Sequence, residues 1–212
     1  MKSLRSVFLL MVCACVLGTT FTSCLSDDDD DTNVTKALTK EEIAAQRSAM
    51  RGAYEGYIHF INDTTMKEDS ILTNWTIADS TLRVVVPVKL FCNGVNDKTA
   101  RNLMLTSEES VEVSGYVYPY NSMYNDNKDT YLFTFFPENG KKEFTINKDD
   151  APHKVTVTFA TQLNIYNMGT FSSIGQYYKG KMISYILLYS IVVDGVTYYC
   201  NSPMYFIGDK IA

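Results

Sequence analysis

Two histidines, five cysteines and fifteen tyrosines are the residues of this chain best suited to specific chemistry. His59 and His153 stand apart, without the His-x-x-x-His spacing that sets two imidazoles on one helix face around zinc. No protease signature surrounds Cys92 or Cys200, so a Cys-His nucleophile is not expected there. A G-x-S-x-G elbow, a glycine-rich phosphate loop and H-E-x-x-H are all missing. Glu55, Glu112 and Glu138 are available as carboxylates, but a glycosidase pair is defined by its separation in space, so a hydrolase ranks third among the functional readings. No metal and no cofactor is called for. Tyrosine clusters at Tyr116, Tyr118, Tyr120, Tyr124 and Tyr131, and again at Tyr177, Tyr178, Tyr185, Tyr189, Tyr198 and Tyr199. A rigid amphipathic ring suits sugar stacking or a protein interface, and it is also a favoured strand residue that binds nothing. Tyr116, Tyr118 and Tyr120, spaced by two, form the candidate aromatic face.

The N-terminus carries a different chemistry. Lys2 and Arg5 precede an apolar stretch from Val7 to Leu17, the layout of a signal peptide. That stretch is shorter than the roughly 20 residues a membrane helix needs. Phe21-Thr22-Ser23-Cys24 resembles the bacterial lipobox, although Phe21 departs from the usual aliphatic residue; Val12-Cys13-Ala14-Cys15 also fits loosely but would halve the apolar stretch. Residues 1–23 are expected to be removed, leaving Cys24 with a diacylglycerol thioether and fatty acyl chains of the palmitate kind. Two or three chains hold a protein firmly on a bilayer. Ser26, Asp27, Asp28, Asp29, Asp30 and Asp31 follow at once, a self-repelling run that cannot bury itself. A serine and aspartates in this place resemble the export signal of Bacteroides lipoproteins, which implies the outer membrane with the chain facing the cell exterior; the alternative is its periplasmic face. Loss of Lys2 and Arg5 takes the formal charge from −5 to −7, of which the acidic run accounts for five, so the rest is near neutral and no nucleic-acid partner is expected.

Residues 24–38 read as an acidic disordered tether and 39–212 as a single β-rich domain. Thr39 and Glu42 form a capping-box pattern before a helix over about residues 40–51. Period-two alternation then recurs in residues 54–61, Ser70 to Ile77, Leu82 to Leu90, Val111 to Val117 and Val155 to Phe159. Asn139-Gly140 and Asp194-Gly195 predict hairpins between Tyr131 to Pro137 and Lys141 to Ile146, and between Met182 to Val193 and Val196 to Cys200. Pro87 predicts an edge or a bulge, Asp97 to Leu105 a second short helix, and the apolar run Ile183 to Val193 a central strand buried on both faces. The fold class is mainly β: an antiparallel β-sandwich or an open calycin-like barrel with one or two short peripheral helices. Cys92 and Cys200, both in strand-like contexts, are either a disulfide, which export permits, or two buried small hydrophobes.

A helix leading into Gly52-Ala53-Tyr54-Glu55-Gly56-Tyr57-Ile58, then Asn74-Trp75-Thr76-Ile77, Asp79-Ser80-Thr81-Leu82 and Pro87-Val88-Lys89-Leu90, resembles a Bacteroides lipoprotein family catalogued as domain of unknown function 4840. His153-Lys154-Val155-Thr156-Val157 and Ser202-Pro203-Met204-Tyr205-Phe206 fit it as well. The resemblance implies membrane anchoring and a gut anaerobe as source, and it implies no activity. Asp63-Thr64-Thr65, Asp69-Ser70-Ile71 and Asp79-Ser80-Thr81 resemble the Bacteroides O-glycosylation sequon, which makes Thr64, Ser70 and Ser80 candidate acceptors in a turn-rich region. The leading expectation is a non-catalytic surface lipoprotein presenting an aromatic face to a glycan or a protein. A calycin-like carrier of an apolar small ligand comes second.

Overall fold

The computed structural model describes residues 37–62, 65–121, 129–165 and 169–211. Cys24, the Ser26 to Asp31 run, Thr64 and Tyr124 lie outside the described residues. Helix α1 (Lys40–Met50) begins at the expected capping box: Thr39 Oγ1 accepts from the Glu42 amide at 3.1 Å, and Glu42 Oε2 accepts from the Thr39 amide at 2.7 Å. Two orphan amides at the helix start are satisfied in this way. Met50 is buried, and its carbonyl accepts the Tyr54 hydroxyl at 2.5 Å, which ties the helix end to the first strand.

Strands β1 (Gly52–Asn62), β2 (Lys67–Ala78), β3 (Thr81–Pro87), β4 (Ser110–Tyr120) and β5 (Thr130–Pro137) form an antiparallel meander. The chain then makes an excursion through β6 (Lys141–Lys148), β7 (Ala151–Phe159), β8 (Gln162–Ile165) and β9 (Gly169–Ser172). It returns with β10 (Ile174–Tyr178), β11 (Lys181–Val193) and β12 (Val196–Lys210). β10 pairs with β5 and with β11, and β12 pairs with β1, so the eight strands β1, β2, β3, β4, β5, β10, β11 and β12 close into an up-and-down barrel. Of the two expected architectures the barrel forms, and it is closed rather than open. Closure leaves no unpaired edge in the ring.

The closing β1–β12 pair sets Gly56 opposite Gly208. A Cβ on either would collide with the facing backbone, so the seam requires glycine at both places. Alternation sends Tyr54, Ile58, Trp75, Ile77, Leu82, Val84, Val117, Phe133, Phe135 and Phe206 into the interior. Trp75 and Phe206 meet edge to face at 5.0 Å, and Phe135 and Phe206 do the same at 6.2 Å. Side chains fill an eight-stranded barrel of this width. An apolar interior with Glu55, Asn74 and Thr76 outside is the reverse of a transmembrane barrel.

Some expectations are corrected. Asn139 and Gly140 do have positive φ, +56° and +64°, yet the strands beside them do not pair: β5 lies between β4 and β10, and β6 lies on β7. The two residues form a corner where the chain leaves the barrel, not a hairpin. The strand expected to reach Leu90 ends at Pro87, because proline has no N–H to continue the ladder and Val88–Cys92 winds into a 3₁₀ turn. At Pro87 the strand has β4 alone beside it, because pairing with β2 stops at Val84, so the proline lies on a locally unpaired side; Cys92 is on the 3₁₀ turn, not on a strand. Ser70 is exposed within β2, away from any turn.

The Asp194-Gly195 hairpin forms as expected, with φ of +48° and +86° and Val193 opposite Val196. Helix α2 (Lys98–Leu105) also forms, its Ala100 amide bonded to the Asp97 carboxylate at 2.8 Å. β11 is central, and a specific cause buries both its faces. Its inner face joins the barrel core, while Tyr185 and Leu187 on the other face are covered by Leu163 and Phe171 of the β8–β9 hairpin. At Tyr189 the registers of β11 with both β12 and β7 slip. Between Ser184 and Leu188, β11 exchanges its barrel neighbour β10 for β7, and β7 and β6 project as a flange.

Candidate binding surface

Because β4 alternates, Val113, Gly115, Val117 and Pro119 face inward and Tyr116, Tyr118 and Tyr120 face outward. Tyr116 is 45% and Tyr118 53% exposed, with ring centroids 6.1 Å apart and planes at 52°. Tyr120 is half-buried. The strip is contiguous but not coplanar. Register supplies its surroundings. Tyr116 lies opposite Thr81 on β3 and Phe136 on β5, Tyr118 opposite Thr134, and Tyr120 opposite Leu132. Phe136, Thr134 and Leu132 are half-buried on the same outer wall. Arg83 and Glu112, paired at 3.6 Å, border the strip on β3 and β4. The surface thus offers two tilted ring faces, an apolar flank, and hydroxyl and charged groups at neighbouring strand positions.

The other tyrosines have separate duties. Tyr177 is buried and stacks on Tyr131 at 5.7 Å and 11°. Tyr189 on β11 and Tyr199 on β12 meet edge to face at 5.6 Å, and Lys179 Nζ stands 5.1 Å above the Tyr178 ring.

Two arrangements escape sequence reading because their members are far apart in the chain. On the β1–β12 wall, Tyr205 donates its hydroxyl to Glu68 Oε1 at 2.6 Å, His59 Nδ1 lies 3.1 Å from the same oxygen, and the imidazole stacks on the Tyr205 ring at 4.7 Å and 2°. Burial first, and then the Glu68 carboxylate, push the Tyr205 hydroxyl well above its usual range. A phenol so held is a poor nucleophile. The second is an open groove of about 910 Å³ between α2 and the β6–β7 and β11–β12 turns, lined among others by Lys98, Arg101, Leu105, His153, Val196 and Tyr198. His153 Nδ1 is 2.7 Å from Asp194 Oδ2, and the Lys154 amide donates to Asp194 Oδ1 at 2.9 Å. These bonds hold the Asp194 carboxyl below its ordinary range, the His153 contact contributing most. The aspartate is committed to tying the β11–β12 turn to β7.

Glu55, Glu112 and Glu138 lie on β1, on β4 and in the turn after β5, not facing one another across a cleft. Among the described residues no group of three or more His, Cys, Asp or Glu is arranged to hold a metal ion. No described helix is long and apolar enough to cross a membrane. Cys92 is buried and Cys200 half-buried, and no disulfide joins them in this structure. Ser70 is exposed; Ser80 is half-buried in the β2–β3 turn, where its carbonyl accepts the Val117 amide at 2.8 Å.

Compared with known protein families, residues 49–193 match the model of a domain of unknown function, DUF4840. Neither a curated protein nor a solved structure matches the chain.

Proposed function

We propose, from the premise that this chain belongs to the DUF4840 family, that it is a non-catalytic, lipid-anchored surface protein whose barrel wall binds a glycan through Tyr116 and Tyr118. One observation carries the reading: two adjacent tyrosines stand exposed and side by side on the outside of a barrel whose inside is packed with aromatic side chains. Exposed aromatic rings bordered by hydroxyl and charged groups suit the apolar faces and hydroxyl rims of sugar rings. The filled interior weighs against an internally bound apolar ligand, since such sites are cavities of several hundred Å³. Anchoring follows from the Cys24 pattern and outward display from the aspartates after it.

A glycan array probed with the Cys24→Ala chain and with a Tyr116→Ala/Tyr118→Ala variant of it tests the reading. Retention on a set of saccharides that the double variant loses, with an unchanged unfolding midpoint, is the expected result. Equal retention by both forms would remove the tyrosines from the site. Silence of both, with a protein captured through the same two residues, would make the partner a protein.

A further inference from the structure

The turn Val88–Cys92 buries Val88, Leu90, Phe91 and Cys92 in the core. Gly94, two residues on, has φ of +80° and is pressed against Cys200: a Cβ there would lie 2.6 Å from the Cys200 carbonyl oxygen and 2.9 Å from its Cα. Cys200 is itself packed against the same core that contains Cys92. It falls where the β11–β12 register slips, since Tyr199 lies opposite Ser190 while Ser202 lies opposite Leu188. A residue in such an irregularity is not held by the regular ladder, and its backbone can adjust to the narrow geometry a disulfide demands.

We propose that Cys92 and Cys200, separate thiols in this structure, are oxidised to a disulfide that joins the Val88–Cys92 turn to β12. The oxidant is a disulfide of low molecular weight, such as glutathione disulfide, or an oxidised dithiol protein. One cysteine thiolate attacks that disulfide, giving a mixed disulfide and releasing the first oxidant thiol. The second cysteine then attacks the protein sulfur of the mixed disulfide and releases the second. Two protein thiols are oxidised, one oxidant disulfide is reduced to two thiols, and the two cysteine protons pass to the released thiolates. Burial, with Cys92 beside it, pushes the Cys200 thiol up to about 12, so exchange is slow in the closed fold and the bond is made as the chain folds. The bond closes a loop of about half the chain, and long loops gain most from closure in the chain-entropy account.

The test is to denature and refold the full chain carrying Cys13→Ser, Cys15→Ser and Cys24→Ser in a mixture of reduced and oxidised glutathione. The expected product is lighter by two hydrogens, has no thiol that reacts with maleimide after denaturation, and yields joined tryptic peptides carrying Cys92 and Cys200. Its unfolding midpoint falls by several degrees on reduction, whereas Cys92→Ala and Cys200→Ser versions show no such response. Two maleimide-reactive thiols in the refolded protein, or separate glutathione adducts without the joined peptides, would overturn the pairing.

Discussion

The Tyr54 ring lies flat on the Trp75 indole across the β1–β2 pair, with centroids 5.6 Å apart and planes 6° from parallel. Together with Phe206 they occupy the space in which a carrier would hold its ligand. Desolvation pushes the Tyr54 hydroxyl well above its usual range, and the hydroxyl donates a hydrogen bond to the Met50 carbonyl.

Trp75 is 1% exposed, and its Nε1 finds no hydrogen-bond acceptor among the described residues. Trp75→Ala is expected to cost about 3–5 kcal/mol through the cavity it leaves. Trp75→Phe keeps most of the contact and removes the unsatisfied N–H, so its cost should be well below that. Urea unfolding of the two variants checks the order; equal losses would count against a filled, dry interior at this place.

Gly208→Ala should destabilise the barrel at its closing seam, because the added methyl meets the Glu55 carbonyl and the Gly56 backbone. Overpacking typically costs about 1–3 kcal/mol, and here rigid backbone is in the way. Gly195→Ala has open space around it, and its cost comes from φ of +86° instead. Thermal melts of both should put Gly208→Ala lower.

Asp194→Asn tests the turn contact by its pH dependence. The folded carboxyl is held below its unfolded pKa, so its contribution to stability is fully present above the unfolded value, about 4. It is lost as pH falls through the folded value. Wild type should therefore exceed the variant in unfolding midpoint near neutrality, and the gap should close under acid. A gap unchanged between neutral and strongly acidic solution would mean that the charge contributes nothing.

Cys24→Ala should abolish incorporation of labelled fatty acid in cells making the protein. Label that persists undiminished would end the anchoring proposal.

Replacing Asp27, Asp28, Asp29, Asp30 and Asp31 with alanine should leave acylation intact and protect the chain from protease added to whole cells. Equal digestion of both forms would make the aspartates a spacer only.

Much of this protein was determined locally. Helix caps at Thr39 and Asp97, the outward placing of Tyr116 and Tyr118, and the Asp194-Gly195 hairpin depend on contacts within a few residues, so they can be read along the chain. The Asn139-Gly140 corner marks where that ends: two positive-φ residues dictate a reversal, but they do not decide which strand edge the emerging chain will join. Tertiary structure decided that β12 closes on β1 and β10 on β11, that four strands leave the ring between β5 and β10, and that Glu68 meets Tyr205. The reason is physical. A period-two pattern says which side of a strand is apolar, whereas barrel closure, a filled interior and long-range polar contacts arise only when many strands bury those sides together.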